Sequence, residues 1–165
     1  MISKKMNEAM QKQINEELFS AYLYLSMSAY FLARNLDGFA GWFKVQAQEE
    51  LSHAMKFFHF LDELGQPVRL AAIQGPKIEW KSPLAAFEEA LKHERHISSC
   101  IHRLYQLAGS ESHYPTQVFL QWFVKEQVEE EDTADSIVEK LKLIEGHAGG
   151  LMMIDHELSH RQFKS

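Results

Sequence analysis

The sequence predicts an all-α fold, an up-down-down-up four-helix bundle with one long crossover and a short C-terminal fifth helix. Glycine and proline lie mainly between long segments rather than inside them, and both residues punctuate helical structure. Within those segments, apolar residues recur every three or four positions, as they do on one face of a helix. A chain of 165 residues, 45% of them hydrophobic, can bury a core without disulfides, so we expect a single domain over residues 1–165.

The first two predicted helices run from about Ser3 to Asn35 and from about Phe39 to Leu64, and Asp37-Gly38 separates them. The third predicted helix runs from about Pro83 to Ala108. Ser82 marks its start, because a serine side chain can accept a hydrogen bond from a free backbone amide. Proline at the first helical position sacrifices no hydrogen bond.

The fourth predicted helix runs from about Pro115 to Glu145 and completes a bundle over about residues 3–145. Gly146 and Gly149-Gly150 then interrupt the helical pattern. A fifth helix is predicted over about residues 148–161, with its regular part from about Leu151 to Arg161.

The connection from Gly65 to Ser82 is too long for a tight turn between antiparallel helices. Its eighteen residues can cover about 60 Å when extended, whereas a helix of about 26 residues is about 40 Å long. The connection can therefore run the full length of the bundle, which makes helices two and three parallel. Bundles with one such crossover are a known architecture.

Polar residues interrupt the apolar seam of each long helix near its middle. A single glutamate in such a seam is usually displaced to the surface by a local change of register, but here the interruption occurs in all four helices. The second helix also has a histidine on the face of its glutamate, and the fourth has a glutamine. The inward-facing residues are Glu17, Glu50, His53, Glu94, Gln127 and Glu130.

Four carboxylates in one apolar interior predict a metal site. Ionised carboxylates are costly to bury and repel one another, so without compensation they protonate. Two divalent cations, of total charge about +4, balance four carboxylates, and neutral Gln127 and His53 leave that balance unchanged. Oxygen ligands with one imidazole suit iron or manganese, whereas a structural zinc site usually has thiolates or more histidines. We expect iron.

Composition and charge exclude several classes of function. The net charge of −6 argues against a nucleic-acid partner, because phosphate binding relies on clustered Lys and Arg. No segment approaches the roughly 18 apolar residues that span a bilayer, and the polar N-terminus does not resemble a secretory signal. We therefore expect a cytoplasmic protein with no membrane partner. Cys100 stands alone, which excludes an intramolecular disulfide, and we expect it to be a small buried residue.

The chain resembles the bacterial non-haem ferritins from its first helix to its short last one. The motifs that carry the resemblance are NEELFSAYLYLSMSAY around Glu17, AQEELSHAMKFF around Glu50 and His53, KHE ending at Glu94, and FLQWFVKEQVEEE around Gln127 and Glu130. The resemblance implies a ferritin-like bundle in which Glu17, Glu50 and His53 bind one iron. It also implies that Glu50, Glu94 and Glu130 bind a second, with Glu50 bridging and Gln127 beside both.

The resemblance further implies a third iron site, formed by Glu49, Glu126 and Glu129 with Glu130 shared. From the residues alone, Glu49 and Glu129 would be solvated surface charges. Two aromatic residues, Tyr24 and Trp122, match family positions that can supply an electron to the centre. From the residues alone, both could equally be core aromatics.

As a function, the resemblance implies ferroxidase activity, the oxidation of Fe(II) to Fe(III) by O2 or H2O2, with storage of a ferric oxyhydroxide mineral inside a cage. The cage would have 24 identical subunits with octahedral symmetry, whose last helices meet at the four-fold axes. The apolar residues of that helix suit burial between subunits or packing on their own subunit; they are Leu151, Met152, Met153, Ile154 and Leu158.

Departures from related families narrow this expectation. The haem-binding bacterioferritins have a second Glu-x-x-His on helix four and a methionine after the bridging acid, where this chain has Gln127, Glu130 and Leu51. No haem is expected. The mini-ferritins build their iron site between subunits and lack a fifth helix, whereas this chain has an inward-facing set of its own and the segment LMMIDHELSHR.

Two alternatives remain at this point. A di-iron oxidase or peroxidase of the rubrerythrin kind would use the same centre without storage, although it normally has a cysteine-rich segment or a second Glu-x-x-His. A purely structural bundle would pair its inward acids with histidine or water, and two-metal binding would exclude it. A further set of histidines is predicted to lie on the surface, without an assigned role: His93, His96, His102, His113, His147, His156 and His160.

Overall fold

The computed structural model describes residues 2–164. Over this range the chain forms five α-helices and no strand, which confirms the predicted all-α fold. The helices are α1 (Lys4–Leu32), α2 (Asp37–Glu63), α3 (Pro83–Ser110), α4 (Tyr114–Ile144) and α5 (Ala148–Leu158). None of the helices in this part of the chain is both long and apolar enough to cross a membrane.

The start of α3 has the predicted capping arrangement. The hydroxyl of Ser82 accepts a hydrogen bond of 3.1 Å from the amide of Ala85, and Pro83 occupies the first turn. At the start of α1, the hydroxyl of Ser3 likewise accepts a hydrogen bond of 2.9 Å from the amide of Met6. Each cap satisfies a backbone donor that the helix itself leaves free.

The long crossover runs beside α1 for most of the length of that helix. Near the start of α1, the side-chain amide of Gln11 donates a hydrogen bond of 2.8 Å to the carbonyl of Pro67. Near its end, the hydroxyl of Ser26 donates one of 2.6 Å to the carbonyl of Lys77. The chain therefore returns to the other end of the bundle before α3 begins, so α2 and α3 are parallel and the topology is up-down-down-up.

Two apolar clusters fill the bundle interior. One contains a group of stacked and tilted aromatic rings, including Phe31 and Phe39 with centroids 4.9 Å apart. The other is built from residues such as Met10, Phe57 and Phe123. Burying each large apolar side chain stabilises the fold by about 1.5–3 kcal/mol. The clusters occupy different stretches of all four long helices, and the inward-facing glutamates lie between those stretches.

The fifth helix packs partly on its own bundle. Ile154 and Leu158 are buried in the aromatic cluster, and the amide of Phe39 donates a hydrogen bond of 3.0 Å to the carboxylate of Asp155. Met152 and Met153 remain 59% and 75% exposed. Each of the two predicted modes of burial therefore fits part of this helix: one edge packs on its own chain, and the other is free to contact a neighbour.

Helix ends differ from the prediction by a few residues. The second helix begins at Asp37 rather than Phe39, so that Gly38, interpreted as a helix break, lies inside the helix. A Cβ at Gly38 would lie 1.7 Å from the carbonyl oxygen of Asp155. Close packing of α5, and not a break in α2, accounts for this glycine. The fifth helix ends at Leu158, three residues before the predicted Arg161.

Candidate metal centre

The four predicted glutamates all lie inside the bundle. Glu17, Glu50, Glu94 and Glu130 are 0%, 1%, 2% and 7% exposed, respectively. Each comes from a different long helix. Each points inward because the residues about one turn before and after it on the same face are also buried. His53, one turn after Glu50 on α2, is also buried, with 3% of its surface exposed.

These side chains form two groups that share one carboxylate. In the first group, Glu17, Glu50 and His53 each offer one ligand atom, and the three atoms lie within 4.8 Å of one another. In the second group, one ligand atom each from Glu50, Glu94 and Glu130 also lies within 4.8 Å of the other two. The Nδ1 atom of His53 lies 3.4 Å from Oε2 of Glu50 and has no hydrogen-bond partner among residues 2–164. The geometry therefore suits two adjacent cations, with Glu50 between them.

Burial and mutual repulsion raise the pKa values of the four carboxyl groups in this cluster. Loss of hydration is the largest effect in each case. It raises the pKa of Glu94 to about 7, and together with repulsion by Glu94 it raises the pKa of Glu130 to about 8. The pKa values of Glu17 and Glu50 are raised well above their usual range. Cations of total charge near +4 would allow all four groups to ionise.

A buried amide without a predicted role connects two of the three helices of the second group. The Nε2 atom of Gln46 donates hydrogen bonds of 2.9 Å to Oε1 of Glu50 and 2.7 Å to Oε2 of Glu130. This places α2 and α4 in a fixed relation at the centre. Its position one turn before Glu50 on the apolar seam of α2 was the signal available in the sequence.

Two further amides orient carboxylates of the cluster. The Nε2 atom of Gln13 donates a hydrogen bond of 2.8 Å to Oε1 of Glu17. The Nε2 atom of Gln127, predicted to lie beside both metals, donates 3.2 Å bonds to the carboxylate and backbone carbonyl of Glu94, and a 3.3 Å bond to the hydroxyl of Ser98. Hydrogen bonds of this kind restrict the rotamers of the groups that would bind metal.

Tyr24 contacts the cluster directly. Its hydroxyl donates a hydrogen bond to Oε1 of Glu94, and only 1% of the residue is exposed. Burial and the neighbouring carboxyl of Glu94 raise the pKa of Tyr24 well above its usual range. The phenol therefore remains protonated next to the carboxyl groups. Trp122 lies on the other side of the cluster with its ring centroid 5.3 Å from that of His53, but 41% of it is exposed.

The residues predicted for a third metal line one pocket beside the buried cluster. Glu49, Glu126 and Glu129 line this pocket of about 610 Å³, together with Glu130 and His53. Ligand atoms of Glu126 also lie within 4.8 Å of those of His53 and Glu130. Burial raises the pKa of Glu126. The pocket thus connects the buried cluster to solvent.

An arginine from the C-terminal segment occupies part of that pocket. The Nη2 atom of Arg161 lies 2.6 Å from Oε2 of Glu49, and the two side chains are only 19% and 12% exposed. The guanidinium carbon also lies 4.2 Å from the ring centroid of Trp42. Glu49 is therefore an ion-paired group and not a solvated one, in contrast to the expectation from its position in the sequence.

Two of the histidines predicted to be on the surface are half-buried, namely His93 and His113. The Nε2 atom of His93 lies 2.7 Å from the hydroxyl of Ser20, and burial lowers the pKa of His93 to about 4. The ring therefore stays neutral near pH 7. The other five histidines of that set are exposed, as predicted.

A family model for the ferritin-like domain matches residues 7–144. The chain belongs to the ferritin family. The match covers the four long helices and both groups of inward-facing ligands. Ferritin family membership supports iron storage as the general function, and iron as the metal that this class of protein binds.

Curated relatives agree with this family. The chain is 42% identical to a bacterial non-heme ferritin from Bacteroides fragilis over 161 residues, which cover 98% of this chain and 100% of the relative. It is 36% identical to a bacterial non-heme ferritin from Staphylococcus epidermidis, over 99% of this chain and 98% of that protein.

Solved ferritin structures share the fold closely. An engineered closed form of the Archaeoglobus fulgidus ferritin superposes with a TM-score of 0.98 at 53% identity, covering 99% of this chain and 100% of that one. A structure described as an open pore ferritin from the same archaeon superposes with a TM-score of 0.97 at 52% identity, covering 98% and 100%. The predicted bundle with one crossover and a fifth helix is thus confirmed.

Proposed function

We propose that this chain oxidises Fe(II) at the buried cluster and stores the ferric product inside an assembly of identical subunits. The observation that carries the proposal is the pair of ligand groups sharing Glu50, from four different helices and almost wholly buried. In this assignment Glu17, Glu50 and His53 hold one substrate iron, and Glu50, Glu94 and Glu130 hold the other. Fe(II) and Fe(III) both accept carboxylate oxygen and imidazole nitrogen as ligands.

Charge explains why two irons suit the cluster. Four buried carboxyl groups are costly to ionise without cations, and two Fe(II) ions supply the matching charge of about +4. Each iron loses one electron. Dioxygen accepts the two electrons and two protons to give H2O2, or H2O2 accepts them, with cleavage of its O–O bond, and two waters form. The contribution of the chain is to place both irons side by side and to position their ligands through Gln13, Gln46 and Gln127.

The pocket next to the cluster offers a path for the oxidised product. It is lined by Glu126 and Glu129 and opens to solvent, and Glu130 belongs to both the pocket and the buried cluster. We assign these carboxylates, with Glu49, to a third iron position through which product moves towards the mineral. The hard oxygen ligands of the pocket suit Fe(III).

Assembly into a closed shell is the remaining part of the proposal. The likeness to the ferritins supports a shell of identical subunits, for which we propose 24 copies. It is supported by the exposed Met152 and Met153 on α5, because apolar surface of this kind favours contacts between subunits.

The test compares variants at the cluster with matched controls on the same helix. Glu50→Ala and His53→Ala should slow the aerobic oxidation of Fe(II), followed by absorbance of the ferric product, by at least about tenfold. Glu63→Ala and His59→Ala remove the same groups at exposed positions of α2 and should leave the rate unchanged. Circular dichroism checks that the helices persist. If Glu50→Ala oxidises Fe(II) as fast as the unaltered protein, the assignment of the cluster is wrong.

A further inference from the structure

A separate group of potential metal ligands lies on the α1–α3 face of the bundle, outside the buried cluster. It consists of Glu16, His96 and Cys100, whose ligand atoms all lie within 4.8 Å of one another. The Nε2 atom of His96 lies 3.1 Å from Oε2 of Glu16 and 3.6 Å from the sulfur of Cys100. None of the three proposed iron positions uses any of these residues.

Two of the three ligand separations are close to the edges of a tetrahedral zinc site. Zinc lies about 2.0–2.1 Å from histidine nitrogen, about 2.0–2.2 Å from carboxylate oxygen and about 2.3 Å from cysteine sulfur. In a tetrahedron with those bond lengths, nitrogen and sulfur are about 3.5 Å apart, and nitrogen and oxygen about 3.4 Å apart. The observed separations of 3.6 Å and 3.1 Å are close to both values. The sulfur and the Glu16 carboxylate lie within 4.8 Å of each other, so small side-chain rotations could bring the three ligand atoms to one cation.

Local structure holds the ligands in this arrangement. His96 and Cys100 are one turn apart on α3 and share a face, a spacing that recurs among metal-binding helices. Glu16 comes from α1, so the group bridges two helices. The side chains of His96 and Glu16 are 50% and 23% exposed, whereas Cys100 is buried. An ion can therefore enter from solvent and meet a sulfur ligand that is held in the protein.

Charge and space are also suitable. A deprotonated Cys100 and an ionised Glu16 carry −2, which balances a divalent cation with neutral His96. The proton of the thiol is released to solvent on binding. Burial raises the pKa of the Cys100 thiol, and the guanidinium of Arg103, with a nitrogen 3.1 Å from the sulfur, offsets part of that rise. A pocket of about 140 Å³ lies beside Glu16 and Cys100 and is lined also by Lys12 and Arg103; it has room for a water as the fourth ligand.

We propose that Glu16, His96 and Cys100 form a separate binding site for a divalent cation of zinc type. The combination of thiolate, imidazole and carboxylate selects zinc or cobalt over magnesium and calcium, which prefer oxygen ligands alone. The site does not depend on the oxidation of iron at the buried cluster, because Glu16 points away from that cluster while the adjacent Glu17 is fully buried within it.

Cobalt(II) is the probe for this site. A cobalt–thiolate bond produces a charge-transfer band in the near ultraviolet, which oxygen and nitrogen ligands do not produce. Since Cys100 is the only cysteine of the chain, any such band reports this residue. Anaerobic titration of the full-length, reduced protein should give a band whose intensity saturates at one cobalt–thiolate bond per chain, and added zinc(II) should remove it by displacement.

Variants distinguish the proposed three-residue site from a cysteine that binds cobalt alone. Cys100→Ala should abolish the band. His96→Ala and Glu16→Gln should each weaken cobalt binding more than about tenfold, since even the residues that only orient metal ligands affect affinity by about 10–100-fold. His102→Ala, an exposed histidine on the same helix, should leave the band and its affinity unchanged. Absence of the band in the unaltered protein would overturn the proposal, as would a band of equal affinity in His96→Ala and Glu16→Gln.

Discussion

Glu50 is the carboxylate that the two proposed iron positions share, and its orientation depends on a neutral neighbour. Gln46 donates one hydrogen bond to Glu50 and another to Glu130, and therefore joins two ligands from different helices. Because the same amide group makes both bonds, the spacing of these carboxylates is set before any cation arrives. Such outer contacts commonly decide how well a metal site functions.

Replacing Gln46 tests this role of the amide. Gln46→Leu removes both hydrogen bonds and places an apolar side chain of similar size in the interior. We expect the rate of Fe(II) oxidation to fall by about 10–100-fold, because Glu50 and Glu130 lose their common donor. Gln48→Leu, at an exposed position of the same helix, is the control. Equal rates for Gln46→Leu and the unaltered protein would contradict the positioning role.

The raised pKa values of Glu94 and Glu130 give the metal-free protein a defined dependence on pH. Below about pH 4.5 both groups are protonated in the folded and in the unfolded chain, and no penalty arises. Between that pH and the folded values of about 7 and about 8, the unfolded chain binds fewer protons. The free energy of unfolding therefore falls as pH rises through this range.

Thermal unfolding of the metal-free protein measures this effect. We expect the Tm of the unaltered protein to fall between pH 5 and pH 8 relative to that of Glu94→Gln/Glu130→Gln, which cannot ionise at these positions. Chelator-treated samples at matched ionic strength isolate the carboxyl groups from bound cations. If the difference in Tm between the unaltered protein and Glu94→Gln/Glu130→Gln does not change with pH, the raised pKa values are wrong.

The sequence predicted the charged ligands of the centre but not the contacts that orient them. Glutamates on four apolar seams are conspicuous because burial of charge is costly, and each of those glutamates is buried. Gln13 and Gln46 carry no charge, so their positions on or near the apolar seams of α1 and α2 did not indicate which atoms they would contact. The pair of Glu49 and Arg161 joins residues 112 positions apart, and only the fold brings them together.

At the scale of elements, α5 is placed by a close approach to the start of α2. A Cβ at Gly38 would lie 1.7 Å from a backbone oxygen of α5, whereas at Gly41, one turn away, it would meet nothing within 4 Å. Glycine was interpreted as a break between helices because it often ends them. Its role in packing depends on a helix more than a hundred residues later, which local sequence cannot indicate.

These two glycines form a matched pair for measuring the contribution of α5. Gly38→Ala should destabilise the protein by about 1–3 kcal/mol, because α5 must shift to admit the methyl group. Gly41→Ala makes the same chemical change in open space and should stabilise α2 by up to about 1 kcal/mol. Denaturant unfolding followed by circular dichroism gives both values. Similar effects for the two substitutions would show that α5 does not pack as described.

The segment after α5 brings a fixed positive charge to the pocket of the proposed third iron. Since Arg161 pairs with Glu49, it competes with any cation for that carboxylate. Arg161→Gln should increase the affinity of the pocket for terbium(III) several-fold, measured by luminescence sensitised through Trp122, which lines the same pocket. Arg95→Gln, an exposed arginine on α3, is the control. An unchanged titration curve would show that the arginine does not limit binding there.

At the scale of the whole molecule, the crossover gives all four helices access to one centre. Because it returns the chain along α1, α2 and α3 run in the same direction and α4 closes the bundle. The length of the Gly65 to Ser82 segment was sufficient to predict this path, since eighteen residues span a bundle only when extended. The sequence showed that α5 carries apolar residues. Only the structure shows which of them pack on their own chain and which, like the exposed methionines, face outward.

Iron uptake by the assembled protein tests the central claim most directly. Fe(II) is added in air in excess of two ions per chain, the mixture is separated by size, and the protein fractions are analysed for iron. Oxidation at the cluster with storage predicts that Fe(III) well above two ions per chain elutes with a large oligomer, and that Glu50→Ala retains far less in the same time. Rapid oxidation without retained iron would favour a di-iron oxidase. Equal oxidation and retention in Glu50→Ala would contradict the account of the buried centre.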